Sequence, residues 1–286
     1  MSEYAPGKER HRAKRSLGQN FLTDPSVCPR IAEKAGIDGM GVIEIGPGFG
    51  ALTVELAKRA AKVVAVELDA DVIPALEENL NGFDNVTVLE GDIMKLDLAE
   101  LIREHFPGMK AAAAGNIPYN ITSPLILKLM DPDVPLESVT VMIQKEPAER
   151  FCSEPGTGNC GAVSAPVWYY GIPRKLFDVG PGSFRPRPKV TSSVIRIEMR
   201  KEPAVRTEDE EMMFSAVRAA FGQRRKTAVN SMSSLMAIPR ETLQEAFRAA
   251  GVPEGIRAEK MTLADFAAVT DALRAGTASD GGEYTG

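Results

Sequence analysis

At 286 residues the chain can hold one large α/β domain with an appendage, or two domains. Apolar residues make up 44% and charged residues 26%, the balance of a soluble globular protein rather than a disordered or fibrous one. The formal net charge of −5 hides an asymmetry: residues 40–100 hold 12 acids and 4 bases, whereas residues 174–226 hold 13 bases and 7 acids. Residues 8–15 add Lys8, Arg10, Arg12, Lys14 and Arg15 against Glu9 alone. Such segments read either as a localised polyanion surface or as an ordinary solvated face. No apolar run reaches the roughly 18–20 residues of a membrane span. The N-terminal stretch has no apolar core of the kind a secretory signal needs. Cys28, Cys152 and Cys160 are odd in number and none has C-x-x-C spacing, so neither a disulfide framework nor a structural zinc site is expected, and a cytoplasmic location is. The only histidines, His11 and His105, leave little for histidine-based catalysis.

In chain order, Val42–Ile45 predicts a short buried strand and Ala51–Ala61 a helix. Val63–Glu67 predicts the second strand, Ala70–Leu80 the second helix and Val86–Glu90 the third strand. Ala111–Ala114 is placed as a fourth strand by its position in the alternation, although alanine favours helix. Val139–Gln144 is the fifth. This rhythm predicts a parallel sheet with helices on both faces. Glu154–Gly161 reads as a loop. Ala162–Tyr170 and Ser192–Glu198 read as two further strands, an antiparallel pair at the sheet edge. Arg200–Glu211 is polar and reads as a linker. Beyond it the pattern is helical: Phe214, Val217 and Phe221 fall at i, i+3, i+7, Leu243 and Phe247 at i, i+4, and Leu263 and Phe266 at i, i+3. The expected organisation is a domain over 1–200, a helical domain over 207–275 and a disordered tail over 276–286.

Four motifs carry chemistry. Gly46-Pro47-Gly48-Phe49-Gly50, after the first strand, permits a tight turn and close approach of a nucleotide-like ligand to backbone amides. With Ala51 the run also fits G-x-G-x-x-A, a dinucleotide fingerprint. Glu67 ends the second strand, where a carboxylate can accept both ribose hydroxyls of an adenosine, in NAD and S-adenosylmethionine sites alike. Asp69 and Asp71 beside it read as solvated or helix-capping. Asp92, after the third strand, can accept from an adenine amino group or can simply serve a turn. Asn116-Ile117-Pro118-Tyr119, after the fourth strand, separates the classes. Methylating an exocyclic amine needs a lone pair that the aromatic ring normally delocalises. The Asn116 side-chain oxygen and a backbone carbonyl adjacent to Pro118 can accept the two amino hydrogens, and Tyr119 can stack on the flipped base.

Asn116–Tyr119 together with Glu44–Gly50 resembles the class I, S-adenosylmethionine-dependent adenine-N6 methyltransferases. Ser16-Leu17-Gly18-Gln19-Asn20-Phe21-Leu22 resembles the N-terminal flap of one branch, the ribosomal RNA adenine dimethyltransferases. Phe177 and the run Phe184-Arg185-Pro186-Arg187-Pro188-Lys189-Val190 resemble that branch's element beside the target base. Phe221-Gly222-Gln223-Arg224-Arg225-Lys226-Thr227 resembles its C-terminal signature, and Arg257-Ala258-Glu259 recurs near the end. The resemblance spans roughly residues 10–273. It implies a Rossmann-like catalytic domain with a small all-helical C-terminal domain. It further implies S-adenosylmethionine as cofactor and dimethylation of two adjacent adenosines in a hairpin loop near the 3′ end of small-subunit (16S) ribosomal RNA. The implied partner is that RNA or the 30S precursor particle, met by a monomer, with no metal and no membrane. Cofactor contacts are implied at Asn20, Leu22, Gly46, Gly48, Glu67, Asp92 and Asn116, and target-base contacts at Asn116, Pro118 and Tyr119. RNA contacts are implied at Phe177, Phe184, Arg185, Arg187, Lys189, Arg224, Arg225 and Lys226. Phe177 and Phe184 also read as core, and Arg224–Lys226 as an exposed helix start.

The chain departs from the family pattern in three places. Gly180-Pro181 stands where Pro-Pro is usual, and Gly180 is expected to leave room near the pocket for a first methyl group. Ala228-Val229-Asn230 replaces Leu-Arg-Asn after the C-terminal signature. Cys160–Ala165 replaces a Tyr-Gly-x-Leu-Ser-Val pattern. Three rival readings remain at this stage: a macrolide-resistance-type dimethyltransferase of large-subunit (23S) RNA, a non-catalytic ribosome-assembly factor on the same fold, and an NAD(P) oxidoreductase resting on the glycine run alone.

Overall fold

The computed structural model describes residue 14 and residues 18–280, with side chains as far as Gly276. The basic run at 8–15 lies outside the described residues except for Lys14. Among the described residues two compact units emerge, one running to Ala148 and resuming over Pro173–Met199, the other spanning Glu149–Ile172 and continuing from Arg200. A single boundary near residue 200 is therefore incorrect, because residues 149–172 belong to the second unit.

The first unit runs β1 (Phe21–Leu22), α1 (Val27–Ala35), β2 (Gly41–Ile45), α2 (Ala51–Ala57), β3 (Lys62–Glu67), α3 (Ile73–Asn79), β4 (Val86–Glu90), α4 (Leu98–His105), β5 (Ala111–Asn116), α5 (Thr122–Leu129) and β6 (Leu136–Gln144). Then α6 (Lys145–Cys152) and α7 (Ser164–Tyr170) lead through the second unit into β7 (Gly171–Val179), β8 (Phe184–Arg185) and β9 (Ser192–Met199). One seven-stranded sheet has the order β4-β3-β2-β5-β6-β9-β7. Strands β4, β3, β2, β5 and β6 are parallel neighbours, and β9 is antiparallel to β6 with Val141 opposite Ile195. The alanine strand is real: Ala111–Ala114 are all buried between β2 and β6. Burial between two strands overrides alanine's helical preference. Its Gly115 sits opposite Ile45, where a Cβ would come within 2.6 Å of the Ile45 carbonyl oxygen. Helix α2 stops at Ala57 rather than Ala61, and the Asn85 side chain donates to the Ala57 and Ala60 carbonyls at 2.9 and 3.1 Å. Those are end carbonyls that a helix cannot satisfy internally.

Ala162–Tyr170 is not a strand. Ser164–Tyr170 is helix α7, and the strand beside β9 is the next segment, Gly171–Val179. The Val167–Tyr170 run is rich in strand-favouring residues, but its buried positions Ala165 and Tyr169 are four apart and join the helical core. Pro166 falls in the first turn, where its missing N–H costs nothing. In β7 the true period of two is visible in buried Phe177 and Val179 around exposed Asp178.

The second unit adds α8 (Glu210–Phe221), α9 (Ala228–Met236), α10 (Arg240–Ala249) and α11 (Leu263–Asp280). Its core joins Met213, Val217, Met232, Leu243, Phe247, Met261 and Phe266. Asp209 caps α8 by accepting from the Met212 N–H at 2.9 Å. Helix α11 continues to Asp280, so residues 276–280 are helical rather than part of a disordered tail.

Candidate active site

Parallel strands β2, β3, β4 and β5 end on one side of the sheet, and β2 lies between β3 and β5. Ligands of open α/β sheets bind outside the carboxyl ends of the strands at such a point. A cleft of about 240 Å³ lies there. It is lined by Asn20 and Leu22, by Gly46 and Gly48 after β2, by Glu67, by Asp92, and by Asn116, Pro118 and Tyr119 after β5. Every residue expected to hold cofactor or target base thus lines one cleft.

The turn after β2 is built from backbone that only glycine adopts freely. Gly46, Gly48 and Gly50 have φ of +65°, +56° and +86°. A Cβ on Gly48 would also press on the Phe21 ring at 3.1 Å. The Gly48 N–H donates to Glu67 Oε2 at 3.0 Å, and the Asp69 N–H donates to Glu67 Oε1 at 2.8 Å. The carboxylate is fixed by the very turn it faces, and each oxygen keeps a further acceptor site. Burial raises the Glu67 pKa above the usual carboxylate range, while these backbone donors oppose the rise. Asp92 serves its turn through Oδ1, which accepts from the Met94 N–H at 3.0 Å. Lys128 steadies the same loop by donating to the Met94 and Leu96 carbonyls at 2.8 and 2.7 Å.

Asn116 is oriented rather than merely present. Its Nδ2 donates to the Asn20 carbonyl at 2.9 Å, which commits the donor end of the amide and leaves Oδ1 as the acceptor end. The Pro118 carbonyl already accepts from the Ile121 N–H at 3.2 Å and the Thr122 hydroxyl at 3.4 Å. Tyr119 Oη and Ser192 Oγ share a hydrogen bond of 2.9 Å.

Several functional groups escaped the sequence reading. Glu44 is buried in the cleft wall, its Oε2 is without a partner, and burial with the nearby Glu67 charge pushes its carboxyl up to about 8. Its place at the head of the glycine run was the available signal. Asp69 is not solvated: its side chain is fully covered, Lys14 Nζ lies 2.6 Å from Oδ1, and Gln19 Nε2 donates to Oδ2 at 2.7 Å. Its capping role holds too, since Oδ1 accepts from the Asp71 N–H at 3.2 Å. Cys28 lines the cleft, but burial pushes its thiol up to about 12, so it is no nucleophile at neutral pH.

The RNA contacts divide. Phe177 and Phe184 are core residues, 7% and 0% exposed, packed in one cluster with Val42, Val63 and Met142. Buried rings cannot stack on RNA, so that expectation is corrected. Phe184 lies on β8 opposite Leu22 of β1, with its ring in the core. Arg185, Arg187 and Lys189 are exposed, as are Arg224, Arg225 and Lys226 between α8 and α9. Gly180 does not line the cleft and a Cβ there would meet nothing, so it does not make room for a methyl group. Among the described residues no cluster of three or more His, Cys, Asp or Glu is placed to hold a metal, and no helix is long and apolar enough to cross a membrane.

The cleft fits S-adenosylmethionine. The Glu67 carboxylate and Asp92 edge the space as acceptors suited to hydroxyl and amino groups, and Glu44, whose Oε2 is buried without a partner, forms part of the wall beside them.

Comparison with known proteins agrees. The family model described as ribosomal RNA adenine dimethylase matches residues 10–274. A protein of Alkaliphilus oremlandii named ribosomal RNA small subunit methyltransferase A is 42% identical over 261 residues, covering 91% of each chain. The protein of the same name from Geobacillus thermodenitrificans is 42% identical over 267 residues, covering 91% of this chain and 90% of its own. Among solved structures, a dimethyladenosine transferase from Plasmodium falciparum has a TM-score of 0.73 at 25% identity, covering 91% of this chain and 98% of its own. The 23S rRNA methyltransferase ErmE has a TM-score of 0.69 at 28% identity, covering 89% and 100%. The fold is the Rossmann-like fold of RNA methyltransferases with a helical C-terminal region, and the chain belongs to the ribosomal RNA adenine dimethylase family.

Proposed function

We propose that this chain is an S-adenosylmethionine-dependent enzyme that dimethylates N6 of two adjacent adenosines near the 3′ end of small-subunit ribosomal RNA, acting as a monomer on the precursor particle. The observation that carries the reading is the Asn116 amide, whose nitrogen is tied to the Asn20 carbonyl. Asn116 Oδ1 then accepts one amino hydrogen of the target base. With the Pro118 carbonyl occupied in its turn, we assign the Ile117 carbonyl as the second acceptor, and Pro118 shapes the bend. Two acceptors in the base plane localise the nitrogen lone pair, so no strong general base is required. Tyr119 stacks on a base that must be unpaired or flipped, since a duplex hides it. When bound, S-adenosylmethionine supplies the electrophilic methyl group. Glu67 takes the ribose hydroxyls, Gly46 and Gly48 allow close approach, Asp92 lies at the adenine end, and Asn20 and Leu22 cover the site. Arg185, Arg187, Lys189, Arg224, Arg225 and Lys226 hold RNA phosphates.

The two acceptors also explain a second transfer. Once the first transfer has released S-adenosylhomocysteine and the methylated N6 has lost one proton to water, rotation about the C6–N6 bond presents the remaining hydrogen to one of them. The test is methyl transfer onto undermethylated small subunits, read by mass spectrometry and reverse transcription. Dimethyladenosine and stops at two neighbouring adenosines near the 3′ end are expected. Monomethyladenosine alone, or a stop in large-subunit RNA, overturns the reading. The large-subunit alternative draws on the ErmE likeness, but the small-subunit relatives are more similar in sequence, at 42% against 28% identity.

A further inference from the structure

Asp69 lies behind the cleft wall, in contact with two of its lining residues, Glu67 and Gln19. Its backbone N–H donates to Glu67 Oε1 at 2.8 Å. Its side chain is fully covered, and Gln19 Nε2 donates to Oδ2 at 2.7 Å while Lys14 Nζ lies 2.6 Å from Oδ1. Gln19 is held at its other end, where Oε1 accepts from the Lys14 N–H at 2.8 Å. The next residue, Asn20, offers the carbonyl that fixes Asn116 Nδ2. A covered carboxylate needs such partners, because burying a charge without them is strongly unfavourable. The contacts therefore form one path: Glu67, Asp69, Gln19, Asn20, Asn116.

We propose that Asp69 is a positioning residue that couples the two halves of the active site, holding Glu67 through its backbone and Asn116 through Gln19 and Asn20. Asp69 does not itself line the cleft. It acts by keeping the Asn20 carbonyl where the Asn116 amide can donate to it. Without that acceptor the Asn116 amide is free to turn, and its nitrogen, which cannot accept a hydrogen bond, competes for the place facing the target amine. The inference rests on the proposed function.

The test uses the full chain with undermethylated small subunits and, for binding, S-adenosylhomocysteine. Gln19→Ala cuts the path beyond Asp69. It should lower kcat about tenfold while the Kd for S-adenosylhomocysteine changes less than threefold, because the Glu67 contacts remain. Asp69→Ala should lower kcat at least as much. Asp69→Asn, which keeps an acceptor for Gln19, should recover most of kcat. The double variant Gln19→Ala/Asp69→Ala should cost no more than Asp69→Ala alone, the mark of two residues acting through one contact. Thermal melting checks that each variant is folded. If Asp69→Ala does not fold, Gln19→Ala and Asp69→Asn still decide the matter. A parental kcat in Gln19→Ala overturns the proposal, as does additive loss in the double variant. A parent chain that transfers no methyl group would instead overturn the proposed function.

Discussion

Tyr119 Oη and Ser192 Oγ lie 2.9 Å apart, and either hydroxyl can donate. Ser192 is fully buried at the start of β9, whereas Tyr119 follows β5 and lines the cleft. The ring is thereby tied to the antiparallel strand, which fixes the plane on which a base would stack. Ser192→Ala removes that anchor with little change in volume. A hydrogen bond of this kind contributes ~1 kcal/mol, so kcat/KM for RNA should fall several-fold, with Tyr119→Phe matching it. Steady-state kinetics with varied RNA measures both. A Ser192→Ala enzyme at parental kcat/KM would show that the anchor is idle.

Glu44 yields a pH dependence. Its carboxyl is pushed up to about 8 in the folded chain by burial, whereas an unfolded carboxylate titrates near its ordinary value of 4.5. Between those values the native state holds a proton that the unfolded state lacks. Glu44 therefore contributes stability that is fully present below pH 4.5 and is lost as pH rises through 8. Glu44→Gln keeps the shape and removes the titration. The ligand-free variant should lose less melting temperature than the parent between pH 6 and pH 9. Parallel melting curves for the two chains would disprove the assignment.

What the sequence disclosed and what it withheld divide along a physical line. Val86–Glu90 and Leu243 with Phe247 were legible because hydrophobic period and local turns set them. That Gly46, Gly48, Glu67 and Asn116 line one cleft was legible because each ends or follows a strand, a position local in sequence. Ala162–Tyr170 misled because strand propensity was outweighed by packing against helices, a non-local effect. Phe177 and Phe184 misled for the opposite reason, since a motif position says nothing of burial. The Asp69–Gln19 and Tyr119–Ser192 contacts join residues 50 and 73 positions apart. No periodicity or spacing rule reaches that far.

Glu67 supports both ligand and turn, and its substitutions should separate the two. Glu67→Gln retains an acceptor for one backbone N–H and loses the charge. Charge-assisted hydrogen bonds contribute roughly 1.5–3 kcal/mol each. Affinity for S-adenosylmethionine should fall tenfold or more by calorimetry. Glu67→Ala also strands the Gly48 and Asp69 N–H groups, at about 1–3 kcal/mol for each buried unpaired donor. Its melting temperature should drop well below that of Glu67→Gln. Unchanged affinity in Glu67→Gln would remove the carboxylate from the site.

Arg224, Arg225 and Lys226 test the role of the helical unit. All three are exposed in the turn between α8 and α9. The turn is held by bonds that do not use these side chains: the Gln223 N–H donates to Ser231 Oγ at 3.1 Å, and Thr227 Oγ1 caps α9 by accepting from the Asn230 N–H at 3.3 Å. Neutralising the three charges should therefore leave the fold intact, with a melting temperature near the parent's. If the side chains contact RNA phosphates, they displace counterions that return to the RNA when binding is lost. The slope of log affinity against log salt should then flatten by roughly 0.7–0.9 for each contact removed. For all three lost, that amounts to a change in slope of about 2–3, with the largest loss of affinity at low salt. The comparison needs small-subunit RNA binding measured at several salt concentrations on parent and triple variant. A lower affinity with an unaltered slope would mean that these residues shape the turn without meeting phosphate. An unaltered affinity and slope would mark the cluster as solvated surface and move RNA binding to Arg185, Arg187 and Lys189.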